Sequence, residues 1–251
     1  MAESTGIQDQ LAFYQENGYL VVPDALSAPQ IDLLNELTDR SLAADRALWI
    51  EREEGHSRLN VHILMAHEEF DLTMRPPALL ELMEAILGPD ICAEEHSMRI
   101  RDPNPDKPGW CHWHRDEIGS PWEPPYYTRY LSVVFYLSDV DDTTHTFSVL
   151  PGSAPPQERP PLESYDLSRA HHITGARGTA VLFNAALFHA GNVRTTSSER
   201  RTIHIYCGRS TDRYLSNYTV FPRRLRQAGD EAVRHYYSRP NAITQLMIDH
   251  F

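Results

Sequence analysis

Apolar side chains recur at three- to four-residue spacing along the first part of the chain. Residues 8–17 predict a short helix through Leu11 and Tyr14, which Gly18 can close in the left-handed conformation. Tyr19-Leu20-Val21-Val22 predicts a strand stopped by Pro23. Ser27 is placed to cap a second helix with apolar positions Ile31, Leu34, Leu37 and Leu42. Residues 77–87, carrying Leu79, Leu82, Met83 and Ile86, predict another, closed by Gly88-Pro89.

From residue 91 the texture changes to short β-branched and aromatic runs with Gly and Pro between them. The predicted strands are 92–100, 110–116, 130–137, 146–150, 170–174, 179–184, 187–193 and 202–208. Residues 130–137 are nearly all apolar, so that strand is placed inside the sheet. A basic helix over 222–237 and a docking helix over 241–251 complete the pattern. The chain therefore reads as mainly β with flanking helices, a sandwich or barrel. With no repeat and no clear linker, residues 1–251 are expected to form a single domain. Its parts are a helical portion to about 90, a β-rich core over about 91–210 and a helical tail over about 211–251.

Two segments, 44–75 and 117–129, show no clear period. Long irregular segments are either lids and binding loops or ordinary surface loops. Arg58, Asn60 and His62 in the first, and Trp122 and Tyr127 in the second, are candidate substrate contacts.

The formal charge is −12, from 23 basic and 35 acidic residues. That balance argues against nucleic acid and against anionic lipid as partners, both of which need a basic face. A small-molecule substrate is the expected partner, and nothing in the pattern specifies an oligomeric state. Cys92, Cys111 and Cys207 are widely spaced and form no CxxC, so neither a disulfide framework nor a thiolate zinc site is expected. The opening residues have no basic or strongly apolar stretch and no apolar run spans a bilayer, so a cytoplasmic protein is expected.

The most informative stretch is Cys111-His112-Trp113-His114-Arg115-Asp116. In a strand, residues two apart share a face, so His114 and Asp116 could approach one ion from the same side. Two imidazoles and one carboxylate suit iron(II) and leave coordination positions open. His189, after the apolar run 179–183, is the best third ligand. Eleven residues on, Arg200 offers a planar fork that suits the distal carboxylate of a dicarboxylic cosubstrate; alternatively it makes a surface salt bridge. Arg201, next on the strand, should face the other way.

These residues together resemble the phytanoyl-CoA dioxygenase-like 2-oxoglutarate oxygenases. The resemblance runs over about residues 11–208. It rests on Phe13–Pro23 as the opening helix and strand, His114-Arg115-Asp116 as the HxD, Val149-Leu150-Pro151-Gly152-Ser153 as a central turn, and Gly178–Phe183, His189 and Arg200 as a closing block. It implies a double-stranded β-helix, a cupin-like jelly roll. It further implies Fe(2+) on His114, Asp116 and His189 as the catalytic centre, with 2-oxoglutarate as cosubstrate and O2 as oxidant. Arg200 would hold the C5 carboxylate, with Met98 and Ser132 also at cosubstrate-contacting positions. The implied reaction converts 2-oxoglutarate and O2 to succinate and CO2 while a small-molecule metabolite is oxidised, by hydroxylation in the first instance and by desaturation or ring formation otherwise. A carboxylate at 116 leaves no vacancy for halide, so halogenation is disfavoured. The chain departs from the family pattern at Thr144-His145, where Asn-Gly is common, and at Ala154, where a His is usual. Phytanoyl-CoA itself suits an acidic protein poorly, and natural-product chemistry is the expected setting.

Two rival readings use the same residues. A cupin-type metalloenzyme without 2-oxoglutarate would recruit His112 and Glu117 and leave Arg200 idle. A non-enzymatic β-sandwich binding protein would carry a degenerate site. His204 could orient a ligand from the strand near Arg200. His62, His67 and His96 could face a pocket, and His145, His171, His172, His235 and His250 read as surface or structural.

Overall fold

The computed structural model describes residues 6–52, 57–117, 122–123 and 125–250. The N-terminal part comprises α1 (Ile7–Asn17), β1 (Tyr19–Val22), α2 (Ala28–Ala44), β2 (Ile50–Arg52), β3 (Ser57–Asn60), α3 (Ile63–Ala66), α4 (Asp71–Met74) and α5 (Leu80–Leu87). Then come β4 (Ile91–Arg101), β5 (Trp110–Cys111), β6 (Leu131–Tyr136), β7 (Thr146–Val149), β8 (His171–Ile173), β9 (Ala180–Asn184), β10 (His189–Val193) and β11 (Arg200–Arg209). The chain closes with α6 (Arg223–Arg226), α7 (Glu231–Tyr236) and α8 (Ala242–His250).

The strands form two antiparallel sheets. The larger has the order β1-β9-β6-β11-β4-β3-β2 and the smaller β5-β10-β7-β8. This is the jelly-roll arrangement, with the helices on the outer face of the larger sheet. Side-chain parity decides which core each residue enters. Leu131, Val133, Phe135, Ile203 and Ile205 meet Leu11, Tyr14, Ile31, Leu34 and Ile86 on the helical side. Val134, Tyr136, Val181 and Phe183 meet Phe147, Val149 and Ile173 between the sheets. Strand β6 is apolar throughout because both of its faces are covered.

Local chemistry explains the boundaries. Gly18 takes φ 80° and its N–H donates to Tyr14 O, ending α1. The Gln30 side-chain oxygen accepts from the Ser27 N–H at 2.8 Å, fixing the start of α2. Gly178 precedes β9 with φ +96°, and a Cβ there would lie 2.5 Å from the Leu26 carbonyl oxygen. Only glycine admits that approach.

The structure departs from the sequence pattern in four places. The strand predicted over 110–116 is regular only at Trp110–Cys111. Beyond it a single bridge joins His114 to His189, and the N–H groups of Asp116 and Glu117 both turn to the Ala185 carbonyl. The segment 44–75 is not a loop: β2 and β3 add to the larger sheet, with Leu59 opposite Arg99. Both strands are too short to register as periodic. The basic helix breaks into α6 and α7 around Gly229. Strand β11 starts two residues early, which places Arg200 inside the ladder opposite Arg101. Residues 118–121 and 124 of the second irregular segment, and residue 251 of the last helix, lie outside the described residues.

Candidate active site

Two elements converge between the sheets. The 112–117 segment carries His114 and Asp116, β10 opens with His189, and backbone hydrogen bonds of 3.0 Å in each direction join His114 to His189. The ligand atoms of His114, Asp116 and His189 all lie within 4.8 Å of one another. His189 Nε2 is 3.2 Å from Asp116 Oδ2 and His114 Nε2 is 3.5 Å from Oδ1.

Both rings are held in one tautomer. His114 Nδ1 lies 3.0 Å from the His112 carbonyl and His189 Nδ1 lies 2.9 Å from the Leu187 carbonyl. A carbonyl oxygen only accepts, so each Nδ1 carries the proton and each Nε2 presents its lone pair to the common centre. Burial, reinforced by the nearby His189, lowers the His114 pKa and favours this neutral form. Burial alone would push the Asp116 carboxyl up, but His189, the Tyr206 hydroxyl and His114 outweigh it and hold the group well below the usual carboxylate range. Tyr206 donates to Asp116 Oδ2 at 2.5 Å. The residues present thus fit a divalent metal by donor type, tautomer and charge.

The cluster lines a cavity of about 660 Å³ that also takes in Arg58, Leu59, Glu95, Arg99, Arg101, Trp110, Phe147, Arg200, Thr202 and His204. Arg200 is 6% exposed, and its Nε and Nη1 have no hydrogen-bond partner among the described residues. Burial lowers its pKa; Tyr136 opposes the shift and Arg99 adds to it. A buried guanidinium without a carboxylate is costly unless a ligand supplies one. Arg201 faces the helices, where it pairs with Glu199 and Asp39 at 2.7 Å each. Ser132 lies opposite Tyr206, on the inter-sheet face, and its buried hydroxyl also has no partner among the described residues.

Several sequence candidates fall elsewhere. Met98 is packed in the helical-side core and does not line the cavity, whereas Arg99 and Arg101, on the opposite face of β4, do. Of the proposed substrate contacts only Arg58 lines the cavity, held by Asp102 and Glu199. Asn60 is fully buried and its side chain accepts from the His62 N–H at 2.8 Å, shaping the start of α3. His62 is away from the cavity beside it. Trp122 lies under the Arg159 guanidinium at 4.8 Å, and the Tyr127 N–H donates to Ile86 O. His145 is structural: its Nδ1 accepts from the Arg194 N–H at 3.0 Å. His96 is buried against Thr73, away from the cavity. His112 lines the cavity but stands outside the three-ligand cluster, and Glu117 pairs with Arg159. Sequence reading passed over Arg99, Arg101, Trp110 and Tyr206. The alternation Glu95, Ser97, Arg99, Arg101 against Met98 and Ile100 was the available signal for the two arginines.

The family description "Phytanoyl-CoA dioxygenase" matches residues 14–202. The chain belongs to the phytanoyl-CoA dioxygenase family. It is therefore a non-haem iron oxygenase that depends on 2-oxoglutarate. No curated protein matches the chain. Among solved structures, the phytanoyl-CoA dioxygenase fold seen here is shared with the α-ketoglutarate-dependent epimerase SnoN from nogalamycin biosynthesis. That pair has TM-score 0.67 at 15% identity, over 82% of this chain and 84% of that one. HygX from Streptomyces hygroscopicus, with nickel and 2-oxoglutarate bound, gives TM-score 0.67 at 16% identity, over 81% and 87%. EctD from S. alaskensis, with 2-oxoglutarate and 5-hydroxyectoine, gives TM-score 0.65 at 21% identity, over 88% and 82%. Likeness at this identity establishes the fold. Among the described residues, no helix is long and apolar enough to cross a membrane.

Proposed function

We propose that this protein hydroxylates a small-molecule metabolite in natural-product chemistry, with iron(II) held by His114, Asp116 and His189 and the 2-oxoglutarate C5 carboxylate held by Arg200. The observation that carries the reading is the three-ligand cluster sharing one cavity with a buried arginine whose Nε and Nη1 lack partners among the described residues. The reading also takes residues 1–251 as one domain, supported by a continuous hydrophobic cluster from Leu11 to Tyr237. It places the protein in the cytoplasm, supported by three free cysteines.

Each residue has a defined task. The His112 and Leu187 carbonyls hold both imidazoles with Nε2 forward. Tyr206 fixes the orientation of the Asp116 carboxylate. Iron(II), when bound, would supply open coordination positions and a redox-active centre through which electrons from 2-oxoglutarate and the substrate reach O2. Arg200 offers a charge-assisted fork to the far carboxylate from a buried position. Phe147 and Leu59 supply apolar wall beside these groups, leaving part of the cavity for the molecule to be oxidised.

The cupin-like alternative without a cosubstrate leaves Arg200 buried and unmatched and needs His112, which is not in the cluster. The test is succinate release by iron-loaded protein supplied with 2-oxoglutarate and a metabolite library. Release that depends on both iron and 2-oxoglutarate, with a product 16 mass units heavier than its substrate, is expected. Substrate turnover without 2-oxoglutarate would overturn the proposal.

A further inference from the structure

His114 and Asp116 sit on a segment that regular sheet pairing does not reach. Strand β5 ends at Cys111, and beyond it the backbone is joined to its surroundings by the His114–His189 bridge and by two N–H bonds to the Ala185 carbonyl. Metal ligands need to be held within about 0.5 Å of their productive positions, and loops hold them less precisely than strands do. A bridge at one residue fixes where the segment lies but not its rotation about that point.

Arg115, between the two ligands, supplies a further constraint from behind the site. Neither Arg115 nor Phe188, the residue before His189, lines the cavity. The Arg115 guanidinium lies 3.8 Å from the Phe188 ring centre. Its Nη1 donates to the Pro160 carbonyl and its Nη2 to the Ser153 carbonyl, each at 2.7 Å. Ser153 is fully buried, and its Oγ accepts from the Phe188 N–H at 2.9 Å. The Leu150 N–H donates to the Phe188 carbonyl at 2.9 Å, and the Tyr165 ring meets the Phe188 ring edge-on at 5.9 Å. One side chain therefore ties the segment bearing His114 and Asp116 to the 150–165 loop and to the ring beside His189. A planar guanidinium can fork to two carbonyls while its face lies on a ring; an ammonium cannot do both.

We propose that Arg115 is a positioning residue for the metal centre. It locks the 112–117 segment and the start of β10 into one body, so that His114, Asp116 and His189 stand at binding separation before a metal arrives. It acts through the backbone of the two ligand-bearing segments. This rests on the proposed iron reading, and the experiment separates the two.

Metal-free protein is titrated with cobalt(II) under argon, and its Kd is measured by chelator competition. The visible absorption of bound cobalt reports the arrangement of its ligands, and the melting temperature of the metal-free protein reports stability. Arg115→Gln should raise the cobalt Kd by at least about tenfold and alter the spectrum. Arg115→Lys, which keeps the charge and loses the fork, should lie between the two. Phe188→Leu should also weaken cobalt, and its effect combined with Arg115→Gln should fall short of the product, since both break one stack. Arg224→Gln is the control for a structural role. Arg224 bonds Asp71 and the Leu64 carbonyl far along the chain on α6, so its loss should lower the melting temperature and leave cobalt Kd and spectrum unchanged. An Arg115→Gln protein with the Kd and spectrum of the unmodified one overturns the proposal. If that variant does not fold, Arg115→Lys decides, and an unchanged Kd and spectrum there overturn it. A cobalt Kd that rises as much in Arg224→Gln as in Arg115→Gln also overturns it, by showing that metal affinity follows stability alone. Failure of the unmodified protein to bind one cobalt would remove the proposed function and this proposal with it.

Discussion

Replacing Arg200 by Ala removes a buried cavity guanidinium whose Nε and Nη1 have no hydrogen-bond partner among the described residues. At 6% exposure, little water competes for it, so its pairing with a carboxylate is charge-assisted and incompletely screened. Truncating one partner of such a pair costs about 2–5 kcal/mol. At about 1.4 kcal/mol per decade, the 2-oxoglutarate Kd should rise roughly 30- to 4,000-fold. Arg200→Lys should recover part of the loss, since an ammonium restores charge without the fork. Arg201→Ala is the internal control. Its guanidinium faces Glu199 and Asp39, so it should leave the Kd within about twofold and cost less than about 1 kcal/mol of stability. The assay is calorimetric titration of 2-oxoglutarate into iron-loaded protein under argon, with iron content checked in each variant. Iron should be unchanged in all of them, because no arginine belongs to the ligand cluster. An Arg200→Ala protein that binds 2-oxoglutarate normally would refute the reasoning, and loss of binding in Arg201→Ala instead would show that the register of β11 is wrong.

His112→Ala should retain full iron by elemental analysis, because only the His112 backbone carbonyl serves the centre. Tyr206→Phe removes the donor to Asp116 Oδ2 and should lower iron affinity by roughly 10- to 100-fold in a chelator competition. Stability should fall as pH drops from about 6.5 toward 4. His96 is held at about 3, His145 at about 4 and His204 well below the ordinary value, chiefly by burial. The unfolded chain therefore takes up about three protons that the folded one refuses, and stability rises with pH across that window. Equal urea midpoints at pH 7 and pH 5 would contradict this.

The elements legible in the sequence were those whose pattern follows from one physical cause. β6 was readable as an interior strand because both faces are covered, and α2 because its cap and apolar stripe coincide. His114, Asp116 and His189 were readable by residue type and spacing, and they meet although the strand carrying the first two ends at Cys111. What brings them together is the bridge to His189 and the turn onto Ala185, which no period encodes. β2 and β3 were missed because three- and four-residue strands carry too little alternation. Met98 was placed at the site by resemblance alone, whereas the parity of β4 puts Arg99 and Arg101 there. Trp122 and Tyr127 were chosen as aromatic loop residues, and aromatic character does not distinguish packing from recognition.

The central claim is that His114, Asp116 and His189 hold one iron. Its most direct test is the iron content of Asp116→Ala, measured by elemental analysis after anaerobic loading and desalting, with circular dichroism confirming the fold. The unmodified protein should carry stoichiometric iron. Asp116→Ala should carry little, because it loses the sole carboxylate among three ligands. A folded Asp116→Ala protein with full iron would contradict the account.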